Sequence, residues 1–86
     1  MPRISYFYGI SIYMYYGDHA PPHLHAIYGE HEATVAVETV EILQGGLPPR
    51  ARSFVLEWAR MHREELQRNW ERARVAEPLE QIAPLE

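Results

Sequence analysis

Hydrophobic and polar residues alternate along the first half of the chain with the two-residue period of a β-strand that has one face inward. The alternation is clearest in residues 10–16, ISIYMYY, and it returns in residues 23–29, HLHAIYG, and residues 32–43, EATVAVETVEIL. The segments between them contain glycine and proline, which interrupt regular structure. Because these segments are too short for the crossovers that join parallel strands, the pattern predicts an antiparallel meander of three to five strands over residues of about 3–43.

The period changes to that of an α-helix after the segment QGGLPPRA at residues 44–51. Between residues of about 49 and 75, apolar side chains gather on one face of a helical wheel: Phe54, Val55, Trp58, Ala59, Leu66, Trp70 and Ala73. Pro48 and Pro49 suit the start of a helix, where a missing N–H group costs nothing. The pattern leaves open whether the segment is one long helix or two helices that meet near His62.

Together these patterns predict a single α+β domain over residues 1–86, with the small antiparallel sheet covered on one face by the C-terminal helices. Trp58 and Trp70 are expected to cover the sheet as core residues. Pro78 ends the helical region, and the residues that follow it are expected to form a short extended tail.

The composition indicates which broad class of protein the chain belongs to. The chain has no cysteine, so neither disulfides nor thiolate metal ligands can stabilise it. Its 47% hydrophobic and 12% aromatic residues are typical of a compact globule. The sequence shows no apolar run long enough to span a membrane and no secretory signal, so a cytoplasmic protein without a membrane partner is expected.

Charge is spread unevenly along the chain, whose net charge is −4. Seven of the eight basic residues, all arginines, lie in residues 47–76, whereas residues 1–46 hold five acidic residues. On a helix the arginines could form a basic ridge for phosphate, but their spacing from glutamates is more typical of a solvated face.

The excess of tyrosine in residues 6–16 indicates an exposed patch that could form a homodimer.

Residues 17–25, GDHAPPHLH, concentrate three histidines and an aspartate around two prolines. His23 and His25 are two residues apart, so both imidazoles project from the same face of a strand. With His19 approaching from the turn and Asp18 as a fourth ligand or as a partner of one imidazole, the segment could bind zinc, nickel or iron. On this interpretation the metal ligands are His19, His23 and His25.

The same residues also suit RNA cleavage without a metal or any other cofactor. Imidazole titrates near neutral pH, so one histidine could take the proton of a ribose 2′-hydroxyl while another protonates the leaving oxygen. Arginines at the start of the helix would hold the phosphate. The candidate catalytic residues are then Asp18, His19, His23, His25 and Tyr28, and the candidate nucleic-acid-binding residues are Arg50 and Arg52.

A purely structural interpretation of this segment stays open as well. The two prolines would form a corner in which Asp18 accepts backbone N–H groups, and the histidines would be half-exposed strand residues. Spacing alone does not decide among the three interpretations.

A resemblance to a known family is carried by three stretches of the chain, MPRISYFYGISIYMYYGDHAPPHLHAIYGE, LQGGLPPRA and EWARMHREELQRNWERA. On these stretches the chain resembles the bacterial domain-of-unknown-function 4160 family over nearly its whole length. The most distinctive part is the Asp-His-x-Pro-Pro-His-x-His core at residues 18–25, followed by Tyr28, Gly29 and Glu30. Because a motif that defines a family is more than a local corner, the resemblance reduces the weight of the purely structural interpretation.

The resemblance also implies a biological setting. Members are often encoded beside a small protein of the domain-of-unknown-function 2442 family, and such pairs look like two-gene toxin–antitoxin operons. The leading hypothesis is therefore a toxin-like component of a bacterial type II pair that acts on RNA, as an endoribonuclease or an RNA-binding protein, with the adjacent gene's product as its partner. The alternatives are a non-enzymatic antitoxin or regulatory protein-binding module, and a histidine-rich metal-binding domain.

Overall fold

Five strands follow one another through the first half of the chain in a computed structural model that describes residues 2–86. Their order in the sheet is their order in the sequence, and every neighbouring pair is antiparallel. This confirms the predicted meander, at the upper end of the predicted strand number. The strands are β1 (Arg3–Phe7), β2 (Ile10–Tyr13), β3 (His23–Tyr28), β4 (His31–Ala36) and β5 (Ile42–Gly45).

The helical segment forms two helices, α1 (Pro49–Met61) and α2 (Arg63–Arg74), which answers the question that the sequence left open. His62 separates them with non-helical backbone angles, φ −116° and ψ 26°. Its Nδ1 atom lies 2.6 Å from a carboxylate oxygen of Glu65 in the first turn of α2. Within the described residues neither helix has the length and the apolar composition that a membrane span requires.

One face of the sheet forms the core together with the helices. Ile12 pairs with Ala26 across β2 and β3, and Leu24 pairs with Val35 across β3 and β4. All four side chains are fully buried in a cluster that includes Trp58 of α1. The prediction that helices cover one face of the sheet is therefore confirmed, and Trp58 has the core position expected of it.

The extended tail after α2 packs on the core, a role that its sequence did not indicate. The indole N–H of Trp58 donates to the carbonyl of Ala83 at 2.7 Å, and the backbone N–H of Ile82 donates to the carbonyl of Ile4 at 2.8 Å. Asn69 of α2 is buried, and its amide group exchanges two hydrogen bonds with the backbone of Glu80. The tail therefore ties both helices to the first strand.

Candidate metal centre

The loop between β2 and β3 brings an aspartate back to the strand that follows it. His23 and His25 alternate with Leu24 along β3, so their side chains lie on the opposite side of the strand from that core residue. Pro22 anchors the end of the loop, because its carbonyl accepts the backbone N–H of Val37 at 3.0 Å. The fold thus positions the loop beside the first half of β3.

Three side chains converge here, and we call Asp18, His23 and His25 the histidine cluster. Asp18 Oδ2 lies 2.8 Å from His23 Nε2 and 3.2 Å from His25 Nε2. One potential ligand atom from each residue lies within 4.8 Å of the other two. Only 15% of the Asp18 side chain, 6% of His23 and 16% of His25 is exposed, so these polar atoms have little access to water.

His23 has a hydrogen-bond acceptor at each of its two ring nitrogens. Nδ1 lies 2.7 Å from the carbonyl oxygen of Pro21, and Nε2 lies 2.8 Å from the carboxylate of Asp18. A neutral imidazole carries one N–H group, so it can donate to only one of these oxygens. When Nδ1–H donates to Pro21, the lone pair of Nε2 faces the Asp18 carboxylate; when Nε2–H donates to Asp18, the lone pair of Nδ1 faces the Pro21 carbonyl.

His25 shares the contact with Asp18 but differs at its other ring nitrogen. Its Nε2 atom faces the same oxygen of Asp18, whereas its buried Nδ1 atom has no hydrogen-bond partner and lies 3.5 Å from a carboxylate oxygen of Glu32. Metal-bound histidines commonly donate their other ring N–H to a carbonyl or a carboxylate, and the Nδ1 contact of His23 with Pro21 matches that pattern. Both imidazoles are therefore oriented with Nε2 toward one point beside Asp18.

Asp18 is held as a carboxylate by its neighbours. Burial of its side chain raises the pKa of Asp18, but hydrogen bonds from His25 and from the backbone N–H of His19, together with the nearby His23, outweigh burial and lower that pKa below its ordinary value. The backbone bond, 2.9 Å long, is the kind of contact expected if the segment were a structural corner. A charged carboxylate is also the form that binds a cation.

Two aromatic residues that the sequence did not associate with the site complete its walls. The ring of Tyr15 lies 4.4 Å from that of His25, and the ring of Trp70 lies 5.1 Å from that of His23. Burial raises the pKa of the Tyr15 hydroxyl, and the charge of Glu32 adds to this effect.

The position of Glu32 beside the site could have been inferred from the sequence. A two-residue turn between β3 and β4 places Glu32 diagonal to His25 on one face of the hairpin.

A pocket of about 430 Å³ opens beside the histidine cluster. Thr34, Leu43 and Gln44 line it from β4 and β5, together with the loop that carries Asp18. No arginine or lysine lines this pocket, whose wall lies entirely within the described part of the chain. A ligand that enters the pocket would therefore meet the histidine cluster and neutral side chains.

The structure places His19 outside the converging group, although the sequence included it among the candidate metal ligands. Its imidazole is 91% exposed, and its Nδ1 atom lies 3.3 Å from Asp18 Oδ1, the oxygen that faces away from His23 and His25. The converging group consists of Asp18, His23 and His25 and does not include His19. The backbone N–H of His19 donates to Asp18, while its ring lies at the rim of the pocket, 5.9 Å from the ring of His23.

The structure does not bring the other predicted site residues to the histidine cluster. Tyr28 ends β3, five residues after His23, which corresponds to about 16 Å along a strand. Tyr28 and Arg50 line a second groove together, and Arg52 lines a third one beside Glu41. The residues expected to form one active site are therefore divided among three places.

Comparison with known proteins identifies the family. The family model described as Domain of unknown function (DUF4160) matches residues 9–71, which include the histidine cluster, all of β2 to β5 and α1, and most of α2. Searches of curated proteins and of solved structures gave no match. Because the family model matches well over half of the chain, the protein belongs to the DUF4160 family.

Proposed function

We propose that Asp18, His23 and His25 bind one divalent transition-metal ion. The observation that carries this proposal is the shared orientation of the two imidazoles: both Nε2 atoms face one oxygen of Asp18, while both Nδ1 atoms face other oxygens. Two nitrogens and one carboxylate oxygen are a ligand set that suits zinc, nickel or iron(II).

The spacing of Asp18 from the two imidazoles supports the proposal. In a tetrahedral zinc site with metal–ligand bonds of about 2.0–2.1 Å, neighbouring ligand atoms lie about 3.3 Å apart. The two Nε2–Oδ2 distances in the histidine cluster are 2.8 and 3.2 Å. The three candidate ligand atoms all lie within 4.8 Å of one another, and Asp18 lies on a loop that can adjust to an ion.

Three protein ligands indicate a site of the catalytic type. Structural zinc sites are closed by four protein ligands, whereas catalytic sites keep a position for water or substrate. The pocket beside Asp18 provides room for such a molecule. A bound divalent ion would make a coordinated water a nucleophile at neutral pH, so the proposal extends to metal-dependent hydrolysis.

Metal binding is tested with protein that carries no histidine tag and has been dialysed against a chelator. Calorimetric titration with zinc, nickel and iron(II) is expected to show one ion per chain and a rise in melting temperature. The variants Asp18→Asn and His25→Ala are expected to lose affinity by about 100-fold or more, since the first removes the negative charge of a ligand and the second removes a ligand. A wild-type protein whose melting temperature does not respond to any of the three ions would refute the proposal.

His19→Ala is the matched control because it removes an imidazole from the same motif. Its ring is solvent-exposed and outside the converging group, so its metal affinity is expected to equal that of the wild type within about twofold. Equal losses in His19→Ala and His25→Ala would show that the metal binds nonspecifically to histidines of the loop.

A second candidate function is the RNA-directed, toxin-like activity in the cytoplasm that was expected from the sequence. The observation that favours it is the spacing of His23 and His25, whose ring centroids lie 5.0 Å apart beside one carboxylate. Such a pair supplies a general base and a general acid. The absence of arginine from the wall of the pocket means that the phosphate charge would have to be neutralised by an imidazolium or by the metal.

Induced expression of the chain, alone and together with the neighbouring gene, tests this second function. Growth arrest with new RNA 5′ ends, relieved by the neighbour and by His25→Ala, is the expected result for a toxin. Cleavage by purified protein in excess chelator would assign it to the imidazoles alone, whereas loss of cleavage on chelation would assign it to the metal. Harmless expression that neutralises a toxic neighbour would instead support an antitoxin.

A further inference from the structure

A groove of about 600 Å³ lies at the other end of β3, away from the histidine cluster. It is bounded by the turn between β1 and β2, by the last residue of β3 and by the first turn of α1. We call it the aromatic groove, and its principal residues are Tyr8, Tyr28, Arg50 and Phe54, above Ile10 and Pro48.

Two of the aromatic rings are stacked on each other, and both tyrosine rings are exposed. Tyr8 stacks on Phe54 with ring centroids 4.7 Å apart and planes inclined by 29°, yet 54% of Tyr8 is exposed. Tyr28 is 38% exposed, and its Cε1 atom lies 3.3 Å from the position that a Cβ atom on Gly9 would take. The groove therefore presents two tyrosine rings that rest on protein on one side and meet solvent on the other.

Tyr8 occupies a backbone conformation that its residue type disfavours. Tyr8 and Gly9 form the two-residue turn of the β1–β2 hairpin with φ of 51° and 78°. Asparagine or glycine is the usual residue at the first of these positions, because a left-handed conformation is costly for a bulky side chain. Strained residues of this kind cluster at ligand sites, where the side chain has a use that offsets the strain.

The charge of the aromatic groove is positive, although the chain as a whole is acidic. Arg50 is exposed, and its guanidinium carbon lies 5.7 Å from the centre of the Phe54 ring. Throughout the described residues no carboxylate lies within ion-pair distance of Arg50, and no acidic residue lines the groove. The guanidinium is therefore available to an anion beside the two tyrosine rings.

We propose that the aromatic groove binds a nucleotide unit, with the base stacked on the exposed tyrosine rings and the phosphate held by Arg50. Aromatic stacking together with an arginine is the chemistry by which proteins hold unpaired bases without reading their sequence. The guanidinium binds a phosphate through paired hydrogen bonds. The unit belongs either to a free nucleotide or to single-stranded RNA, since both offer the same base and phosphate.

This proposal does not depend on the metal. The histidine cluster lies at the other end of β3, and none of its residues lines the aromatic groove.

Two titrations test the proposal with full-length protein. Nucleoside monophosphates are added in one arm and followed by amide chemical shifts, and a fluorescent single-stranded RNA of about ten nucleotides is followed by anisotropy in the other. Shift changes centred on Tyr8, Tyr28 and Arg50 are expected in at least one arm. Binding in the first arm only identifies a free nucleotide, and binding in the second only identifies RNA.

Tyr8→Asn and Arg50→Gln are the decisive variants. Asparagine suits the left-handed turn, so Tyr8→Asn removes the stacking ring without disturbing the hairpin. Each variant is expected to weaken binding by about tenfold or more. Arg52→Gln is the matched control, because Arg52 is also exposed but lines a different groove beside acidic residues. The affinity of this variant for the nucleotide ligands is expected to stay within about twofold of the wild-type value.

Three results would overturn the proposal. The first is that neither ligand binds at concentrations up to the millimolar range. The second is that Arg50→Gln and Arg52→Gln lose equal affinity, which indicates nonspecific attraction to phosphate. The third is that a second copy of the chain occupies the groove, which light scattering would show as a dimer that Tyr8→Asn dissociates. None of these results bears on metal binding, so failure of this proposal is distinguishable from failure of the metal proposal.

Discussion

The two ends of β3 differ in how their side chains are held. At its start His23 is almost completely buried, and polar partners lie at both of its ring nitrogens. At its end Tyr28 is partly exposed and lines a groove whose only charged residue, among those that the structure describes, is Arg50. One short strand thus carries a constrained polar cluster and an open aromatic surface.

The difference indicates two kinds of recognition. A buried set of nitrogen and oxygen atoms is selective because the protein has already oriented the ligands, and this suits a small ion. Exposed rings beside one cation tolerate many ligands, because stacking depends on the π-face and not on hydrogen-bond pattern. We therefore expect substitutions at the polar end of β3, around the histidine cluster, to affect stability and metal affinity together. Substitutions at its aromatic end, around the aromatic groove, should lower stability less and leave metal affinity unchanged.

The largest effect on stability is expected at Trp70, which packs between His23 of the histidine cluster and the core. Its indole is buried and lies 5.1 Å from the ring of His23. Trp70→Ala is expected to lower the free energy of unfolding by about 3–5 kcal/mol, because it leaves a large cavity. Urea denaturation measures this change, with Trp70→Phe as the control that keeps an aromatic ring at the position.

At the aromatic end, Phe54 is only half-buried. Phe54→Ala is therefore expected to lower the free energy of unfolding by about half as much as Trp70→Ala.

If Phe54→Ala proved as destabilising as Trp70→Ala, the aromatic end would be part of the core. The comparison between the two ends would then fail, since both would depend on dense packing.

A pair of glycines provides the next test. Gly45 and Gly9 both have positive φ, 75° and 78°. A Cβ atom at Gly45 would lie against the carbonyl oxygen of Glu32, which belongs to the backbone, whereas a Cβ atom at Gly9 would meet only the ring of Tyr28. Gly9→Ala is therefore expected to cost about 1–2 kcal/mol, the cost of the left-handed conformation.

Gly45→Ala is expected to cost more than about 2 kcal/mol, since the backbone of β4 must also move. Thermal denaturation compares the two variants, and metal titration should show weakened affinity only for Gly45→Ala, because Glu32 lies beside His25. Similar melting temperatures for the two variants would show that the β4–β5 edge is free to shift.

A smaller effect is expected at Glu32, the carboxylate beside His25. Glu32→Gln removes the charge that faces His25 Nδ1 at 3.5 Å but keeps the size of the side chain. Residues that orient a metal-bound histidine typically change metal affinity by about 10–100-fold, and a value near the lower limit is expected because Glu32 is half-exposed. Competition with a chromophoric chelator measures the affinity. The exposed Glu30→Gln is the control, and equal losses in both variants would indicate a general effect of charge.

The smallest effect on stability is expected for Tyr8→Asn at the aromatic end. The substitution loses the stack on Phe54 but gains a residue that favours φ near 51°. These contributions oppose each other, so the free energy of unfolding is expected to change by less than about 1 kcal/mol. Urea denaturation checks this value. A loss above about 3 kcal/mol would mean that Tyr8 is a core residue and not a ligand platform.

The arrangement of strands and helices could be predicted because it depends on local patterns. Alternation in β2 and β3, the glycine at the β1–β2 turn and the paired prolines before α1 each act within a few residues. The packing of the tail could not be predicted in this way. Ile82 and Leu85 are buried against strands and helices that lie far from them in the sequence, and nothing in the local pattern names those partners.

The candidate site was located from the sequence but its composition was not. Two histidines at i and i+2 on a strand must share a face, and this placed His23 and His25 together. Whether His19 or Asp18 would join them depended on the path of the loop, which put the aspartate inside and the histidine in solvent. Tyr15 and Trp70 joined the walls through tertiary packing.

The sequence by itself determined that an antiparallel meander precedes a helical segment, which face the two strand histidines share and the family to which the chain belongs. Only the tertiary structure decided that Asp18 completes the histidine cluster and that Tyr28 and Arg50 form a separate groove. The physical reason is the distance along the chain over which each effect acts. Periodicity and turn chemistry act over a few neighbouring residues, whereas a site is made by the distances between segments, and those are fixed only when the sheet pairs and the helices pack on it.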